Sequence, residues 1–86
     1  MKYFAAYLRM LDSLKSQDYR PQHLDYLIQN ERAGRIFARG RFADGEGGLV
    51  IYIAESLDEA KKIAENDPYI QFGARSLDLH EWEMKI

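Results

Sequence analysis

Glu65-Asn66-Asp67-Pro68-Tyr69 is the stretch around which the rest of the chain is organised. Proline lacks a backbone N–H and disfavours helical backbone in the residue before it, so a preceding helix should end at or before Asn66. The carboxylate of Asp67 is then free to turn toward another part of the chain. The histidine that we expect within its reach is His23, in the earlier turn Arg20-Pro21-Gln22-His23.

Length and composition bound what the chain can be. Its 86 residues suffice for one domain, residues 1–86, and a hydrophobic content of 47% supplies a core. The formal charge of −2 argues against a nucleic-acid partner, because binding to phosphate backbones rests on clustered Lys and Arg. No apolar run approaches the roughly 20 residues that span a bilayer, and the N-terminus lacks the features of a secretory leader. With no cysteine present, we expect a cytoplasmic protein without disulfides.

The first third of the chain is predicted to be a strand followed by a helix. Residues 2–10 alternate as a strand with two faces, one of Phe4, Ala6, Leu8 and Met10 and the other of Tyr3, Ala5 and Tyr7. Asp12 to Asp18 is predicted to be the connection, with Asp18 as the nearest helix cap. The helix then has Pro21 in its first turn, His23 at the edge of its core stripe and Gly34 as its stop. The predicted stripe is Leu24, Leu27, Ile28 and the stem of Glu31.

Two strands joined by a hairpin are predicted next. Residues 35–43 place Ile36, Ala38 and Phe42 on one face and Phe37, Arg39 and Arg41 on the other. Asp44-Gly45-Glu46-Gly47-Gly48 is predicted to be the hairpin, since Asp-Gly supplies the positive φ angles of such turns. Residues 49–54 form the third strand, with Val50 and Tyr52 opposite to Leu49, Ile51 and Ile53.

The last third of the chain begins with a capping box, Ser56 followed by Glu59. The helix after it is predicted to bury Leu57, Ala60, Ile63 and Ala64 and to end before Asp67. Residues 69–72 form one more helical turn, closed by Gly73. Residues 74–86 form the last strand, in which a change of hydrophobic phase predicts a bulge near His80-Glu81.

This order predicts an α+β protein of the ferredoxin-like β-α-β-β-α-β type, a four-stranded antiparallel sheet with two helices on one face. The other face is predicted to carry an apolar patch of Tyr3, Ala5, Tyr7, Phe37, Val50 and Tyr52. Soluble monomers rarely expose apolar patches larger than a few hundred square ångströms. We therefore expect a homodimer that packs sheet to sheet with two-fold symmetry. RNA-recognition modules share this order, but the third strand lacks their spaced aromatic residues, so no nucleic-acid partner is expected.

The chain resembles the YciI-like (YCII-related) family of the dimeric α+β barrel superfamily. The residues that carry the resemblance are Arg20-x-x-His23, Gly34-Arg35-Ile36, Gly40-Arg41-Phe42, Gly47-Gly48-Leu49 and Asn66-Asp67-Pro68-Tyr69. It implies a His–Asp pair at His23 and Asp67 and, where chemistry has been proposed for the family, lyase-like reactions of small hydroxylated aromatic or related compounds. The family usually has Gly-Pro after the second strand, whereas Arg41 follows Gly40 here, so the resemblance does not fix the loop or the charge at this point.

His23 and Asp67 have two interpretations. As a catalytic dyad, the carboxylate would fix the imidazole tautomer and raise its basicity for general acid–base chemistry. Alternatively, Asp67 caps the turn that begins at Pro68, and His23 is a partly buried structural residue.

Four further residues are candidates for substrate binding. Arg20 lies one helical turn before His23, while Arg39 and Arg41 alternate on one strand and suit an anionic ligand, although strand arginines are often solvated or paired with acids. Tyr7 could line a pocket between the sheet and a partner, or be plain dimer core. No metal-ligand spacing and no cofactor fingerprint is present, so neither is expected.

Two functions remain open from the sequence. The first is a small enzyme of lyase or isomerase type that uses the His–Asp dyad on a small hydroxylated or anionic compound. The alternative is a non-catalytic dimer of the same fold that binds or senses a small ligand.

Overall fold

The sheet of the computed structural model, which describes residues 1–86, has four antiparallel strands. They are β1 (Lys2–Met10), β2 (Ile36–Arg41), β3 (Gly47–Ala54) and β4 (Arg75–Trp82), and they lie side by side in the order β2-β3-β1-β4. The two central strands are thus β1 and β3, which come from opposite halves of the chain. This arrangement confirms the predicted α+β, ferredoxin-like fold.

Each crossover contains two helical segments rather than one. The first has α1 (Ser13–Asp18) and α2 (Arg20–Arg32), and the second has α3 (Leu57–Glu65) and α4 (Pro68–Gln71). The prediction of a plain connection over residues 12–18 is wrong, because Asp12 accepts a hydrogen bond from the Lys15 amide and starts α1. Asp18 ends α1 instead of capping α2, which begins after Tyr19 without a side-chain cap.

The buried stripe of α2 differs from the predicted one. The buried residues are His23, Leu27 and Asn30, whereas Leu24 is only partly buried and Ile28 and Glu31 are exposed. The polar members can be buried because they are hydrogen bonded: Asn30 donates to the Tyr26 carbonyl, and His23 contacts Asp67. His23 therefore lies in the middle of the packed face and not at its edge.

Val50 and Tyr52 lie on the helix side of the sheet, and their predicted place on the open face is wrong. Residues directly opposite in an antiparallel pair share a face. Tyr52 pairs with Phe4 and Val50 pairs with Ala6, and all four belong to the core beneath the helices. The open face instead carries Leu49, Ile51 and Ile53, opposite Tyr7, Ala5 and Tyr3.

A register shift in β2 changes the facing of its arginines. Ile36 pairs with Tyr52, but Ala38 pairs with Ile51, so one extra residue lies between them. Phe37 accordingly packs on the open side, with its ring centroid 5.4 Å from that of Tyr3. Arg39 and Arg41 share the helix side with Ile36, and their predicted place beside Phe37 is wrong.

Two glycines let the β2–β3 hairpin pack closely on its neighbours. Gly47 has φ +130°, and a Cβ there would lie 2.1 Å from the Leu8 carbonyl oxygen. A Cβ on Gly48 would lie 2.8 Å from the Gly40 carbonyl oxygen. The predicted hairpin is confirmed at Asp44-Gly45-Glu46, but Gly47 and Gly48, predicted to belong to it, are the first residues of β3. Side chains at these two positions are excluded by the neighbouring backbone.

The C-terminal half departs from prediction at two points. β4 pairs with β1 without interruption from Arg75 to Trp82, so the predicted bulge is absent and the strand ends before Ile86. Ser56 caps α3 as predicted, but Leu57 is 50% exposed and does not join the core. None of the helices is long and apolar enough to cross a membrane.

Candidate functional site

The position of Asp67 follows from the proline after it. α3 ends at Glu65, and Asp67 has extended backbone with φ −62° and ψ 128°, as expected before Pro68. Its Oδ1 accepts a hydrogen bond from the Tyr69 amide at 2.9 Å and so caps α4. The side chain is fully buried, at 0% exposure. The prediction that a helix ends here and another turn begins is confirmed.

His23 meets Asp67 in the core. Nδ1 of His23 lies 2.8 Å from both carboxylate oxygens of Asp67. A carboxylate only accepts hydrogen bonds, so Nδ1 carries a proton and donates it. Nε2 makes no hydrogen bond within the chain and is not sealed from solvent. In the neutral imidazole, Nε2 is therefore the nitrogen with a free lone pair.

A cavity of about 410 Å³ lies in front of His23. It is formed between the start of α2, the β2–β3 hairpin and the ends of β1 and β4. Its charged lining consists of Arg20, Arg39, Arg41 and Arg75, with no aspartate or glutamate among the lining residues. Because His23 also lines the cavity, Nε2 can act on a molecule bound there.

The structure brings five of the six predicted site residues together and leaves one out. His23 lines the cavity with Arg20, Arg39 and Arg41, and Asp67 lies directly behind His23. Arg39 is also paired with Glu31, through bonds of 2.9 and 3.2 Å from its Nε and Nη2. Tyr7 lies on the open face, 5.4 Å from Phe42 between ring centroids, and does not line the cavity.

Arg75 is a cavity residue that the sequence reasoning missed. Its Nε donates to the Ser16 hydroxyl at 3.1 Å, and one Nη makes a longer contact of 3.5 Å with the Leu8 carbonyl. The guanidinium carbon lies 4.5 Å from the centroid of the Tyr69 ring. One signal was available: Arg75 has the same strand parity as Leu77, which packs on the helix side.

Tyr69 lies between His23 and Arg75 and was also missed as a site residue. Its ring stacks on His23, with the centroids 3.8 Å apart and the planes at 12°. Burial raises the pKa of Tyr69; Arg75 and Arg20 oppose this, and Asp67 adds to it. The net rise keeps the phenol protonated at neutral pH, where its hydroxyl can donate to a ligand. Its place two residues after Asp67 was the available signal.

A second buried tyrosine, Tyr52, lies near the His23–Asp67 pair. The Tyr52 hydroxyl is buried without a hydrogen-bond partner. Burial, followed by the charges of Asp67 and Tyr26, raises the pKa of Tyr52 far above its ordinary 10.0. Tyr52 is therefore a neutral phenol that packs in the core and does not line the cavity.

The charged lining suits an organic anion rather than a metal ion. No group of three or more His, Asp or Glu side chains is gathered in a way that could hold a metal ion. The cavity instead presents guanidinium groups and one imidazole, which are donors suited to carboxylate, phosphate or phenolate oxygens.

Comparisons with known proteins agree with one another. The family model for the YCII-related domain matches residues 1–83. The uncharacterized protein YjpA of Bacillus subtilis (strain 168) is 31% identical over 70 residues, which are 81% of this chain and 82% of that protein. A structure of the 5-chloro-2-hydroxyhydroquinone dehydrochlorinase TftG from Burkholderia phenoliruptrix AC1100, in complex with 2,5-dihydroxybenzoquinone, superposes with a TM-score of 0.82. That match has 24% identity and covers 96% of this chain and 95% of TftG, and it shows a common fold.

Proposed function

The chain belongs to the YCII-related family, and on that premise we propose that it is a small enzyme of the lyase or isomerase type. His23 is its general acid–base group, Asp67 is the partner that orients it, and the substrate is a small hydroxylated or anionic compound. One observation carries the proposal. A fully buried carboxylate holds Nδ1 of His23 at 2.8 Å, while the same histidine lines an open cavity.

The reaction follows from the state of the two ring nitrogens. The Nδ1–H group stays hydrogen bonded to the Asp67 carboxylate. The lone pair of Nε2 takes a proton from a C–H or O–H group of the substrate. In an elimination, the electrons of that bond form a new double bond, and a leaving group departs with its own electron pair. In an isomerisation, His23 returns the proton to a different substrate atom. The negative charge of Asp67 stabilises the imidazolium that exists between these steps.

The structural neighbour supports the substrate class. The name of TftG describes the removal of hydrogen chloride from a chlorinated hydroxyhydroquinone, and its structure holds a dihydroxybenzoquinone. We propose that hydroxylated ring compounds of this size are also accommodated by the cavity of about 410 Å³ in this chain. Substituted hydroquinones are therefore the first compounds to screen.

The test compares a variant of His23 with a control variant on the same helix. Wild-type protein is screened against hydroxylated and halogenated hydroquinones by ultraviolet absorbance, and kcat is measured for any compound that it converts. His23→Gln should lower kcat by about 10²–10⁴-fold, because it removes the proton acceptor. Gln29→Ala is the matched control, since Gln29 is exposed on the same helix as His23 and does not line the cavity. Full activity of a folded His23→Gln variant would refute the proposed role.

The non-catalytic alternative has one observation in its favour. Asp67 already has a structural task, because it caps α4 through the Tyr69 amide. Saturable binding of 2,5-dihydroxybenzoquinone by calorimetry, without conversion of any compound in the screen, would favour a binding or sensor protein over an enzyme.

We further propose that the protein is a homodimer joined through the open face of the sheet, and that it acts in the cytoplasm. The large apolar and aromatic residues of this open face, together with Ala5, are Tyr3, Tyr7, Phe37, Leu49, Ile51, Ile53 and Trp82, and His80 and Asp78 lie on the same face along β4. Phe37 and Trp82 are 48% and 44% exposed, and no helix of the chain covers this side. A second copy would remove these apolar groups from water.

A further inference from the structure

The cavity concentrates positive charge in a chain whose net charge is negative. Four of its lining residues are arginines and none is acidic, although the chain has 14 acidic residues and a formal charge of −2. Within the chain, only Arg39 of the four is paired with a carboxylate, that of Glu31. Arg20, Arg41 and Arg75 make no ion pair with an acidic side chain.

Arg75 is the member for which the missing counter-charge matters most. It is half-buried, whereas Arg20 and Arg41 are exposed at the cavity rim. Taking a guanidinium out of water is costly unless an anion or several hydrogen bonds compensate it. Its neighbours are the neutral Ser16 hydroxyl, the Leu8 carbonyl and the face of Tyr69. These engage two of its three nitrogens, and the other Nη is left without a hydrogen bond.

The surroundings of Arg75 also hold it in place. The Ser16 hydroxyl that accepts from Arg75 is itself fixed in a buried position beside the Ala74 carbonyl. The Tyr69 ring contacts both the Arg75 guanidinium and the His23 imidazole. A group bound by Arg75 therefore lies on the same side of the sheet as His23. Only the Tyr69 ring separates the Arg75 guanidinium from the His23 imidazole.

We propose that Arg75 is the primary binding residue for an oxyanion, a carboxylate or phosphoryl group, carried by the molecule that enters this cavity, and that Arg41 supplies a second contact from the rim. This inference deepens the proposed function, since it assigns an acidic substituent to the substrate on which His23 acts. A planar guanidinium binds two oxygens of either group at once, so both groups share the required chemistry.

Binding of simple oxyanions tests the inference without any turnover. Inorganic phosphate and benzoate are titrated separately into the intact protein by calorimetry, with sodium chloride used to hold the ionic strength constant. Benzoate tests a carboxylate and phosphate a phosphoryl group, and the tighter of the two identifies the anion type that the site prefers. Wild-type protein should bind at least one of them saturably.

Charge-neutral variants then assign the binding to individual arginines. Arg75→Met should weaken the better probe by about 10–100-fold, the usual effect of losing a hydrogen bond to a charged group. Arg41→Met should weaken it by about 2–5-fold, because an exposed charge contributes less. Arg32→Met is the matched control and should bind as wild type does, since Arg32 is exposed at the end of α2 outside the cavity.

The outcomes separate this inference from the proposed function. Wild-type affinity in a folded Arg75→Met variant, or no binding of either probe to wild-type protein, would overturn the oxyanion site. Should Arg75→Met not fold, Arg75→Lys decides: it keeps a charge but loses the planar fork, so the better probe should bind about 3–10-fold more weakly. Unchanged affinity in Arg75→Lys would count against the site. A protein that binds an oxyanion through Arg75 yet converts nothing supports the site and contradicts the enzyme.

Discussion

Replacement of Asp67 by asparagine and by alanine separates its two tasks. Asparagine is close to aspartate in size and shape, and its side-chain oxygen can still accept from the Tyr69 amide, which lies 2.9 Å from Oδ1 in the native site. Its side-chain nitrogen, however, is a donor, and it would take the place of Oδ2, which lies 2.8 Å from Nδ1 of His23. Asp67→Asn therefore keeps the cap, removes the negative charge and puts an amide donor beside Nδ1 in the place of Oδ2, which disfavours a proton on Nδ1 although Oδ1 stays within reach. Asp67→Ala removes both the cap and the partner of His23.

The expected losses of stability differ accordingly. Asp67→Asn exchanges a charge-assisted hydrogen bond for a neutral one, a loss of about 1 kcal/mol in the free energy of unfolding. Asp67→Ala loses the helix cap, about 1 kcal/mol, and leaves a buried imidazole donor without a partner, about 2 kcal/mol more. The total of about 3 kcal/mol is a large part of the roughly 5–15 kcal/mol that stabilises a typical domain.

Two measurements check this comparison. Urea unfolding followed by circular dichroism gives the free energies, and nitrogen NMR of labelled histidine gives the tautomer of His23. The wild-type ring should carry its proton on Nδ1. In Asp67→Asn the proton should move to Nε2, which removes the lone pair that faces the cavity, and kcat for any identified substrate should fall by several orders of magnitude.

The order of the two variants is the decisive result. Equal stability of Asp67→Ala and wild type, within about 0.5 kcal/mol, would show that the capping and pairing energies assigned to Asp67 are wrong. An unchanged His23 tautomer in Asp67→Asn would show that this carboxylate does not set the protonation of the ring. His80 gives a second signal in the same spectra and serves as the internal reference, because it lies on β4 outside the cavity.

Three further predictions concern the core, the hairpin and the open face. Tyr52→Phe removes an unpartnered buried hydroxyl and should stabilise the protein by about 1 kcal/mol in urea unfolding. Because burial raises the pKa of Tyr52 in the folded state above 10.0, folded protein with a neutral Tyr52 is favoured in full below pH 10, and this part of the free energy of unfolding is lost as pH rises further. Tyr52→Phe should therefore make the free energy of unfolding fall less steeply with pH above 10. A fall as steep as in wild type would contradict this. Gly47→Ala should lower the free energy of unfolding by about 3 kcal/mol or more, because the new Cβ would clash with the Leu8 carbonyl. Gly45→Ala should lower it by only about 1 kcal/mol, because a Cβ there meets nothing within 4 Å. Equal losses in the two variants would exclude the clash with Leu8. Leu49→Glu on the open face should convert a dimer to a monomer in light scattering, and a wild-type monomer at micromolar concentration would refute the dimer.

The sequence predicted where helices and strands lie in the chain better than it predicted which side of the sheet their residues occupy. Local rules located the strands, the Ser56 cap and the break at Asp67-Pro68, because each depends on a few neighbouring residues. The side of the sheet on which Val50 and Tyr52 lie depends on the pairing of β3 with β1, a contact between distant parts of the chain. Since β3 is apolar on both faces, its alternation could not reveal which face is covered by helices.

The same limit explains which site residues were found. His23 and Asp67 were predicted as a pair, partly from the family resemblance, and they do meet in the core. Arg39 and Arg41 were predicted as ligand residues on the wrong face, because the register shift after Ile36 is invisible in the alternation of β2. Arg75 was missed because its neighbours Ser16 and Leu8 come from the other end of the chain.

The site and the fold depend on the same residue, which limits how the two can vary independently. Pro68 holds Asp67 in extended backbone, and the capping bond to Tyr69 fixes the direction of its carboxylate. The tautomer of His23 is thus set by a helix boundary. The arginines lie instead on strand ends and on the rim, where exchange of Arg41 disturbs little of the core. Under the proposed function, substrate preference can therefore change through the arginines, while the proposed proton-transfer pair stays fixed for as long as the fold itself requires Asp67.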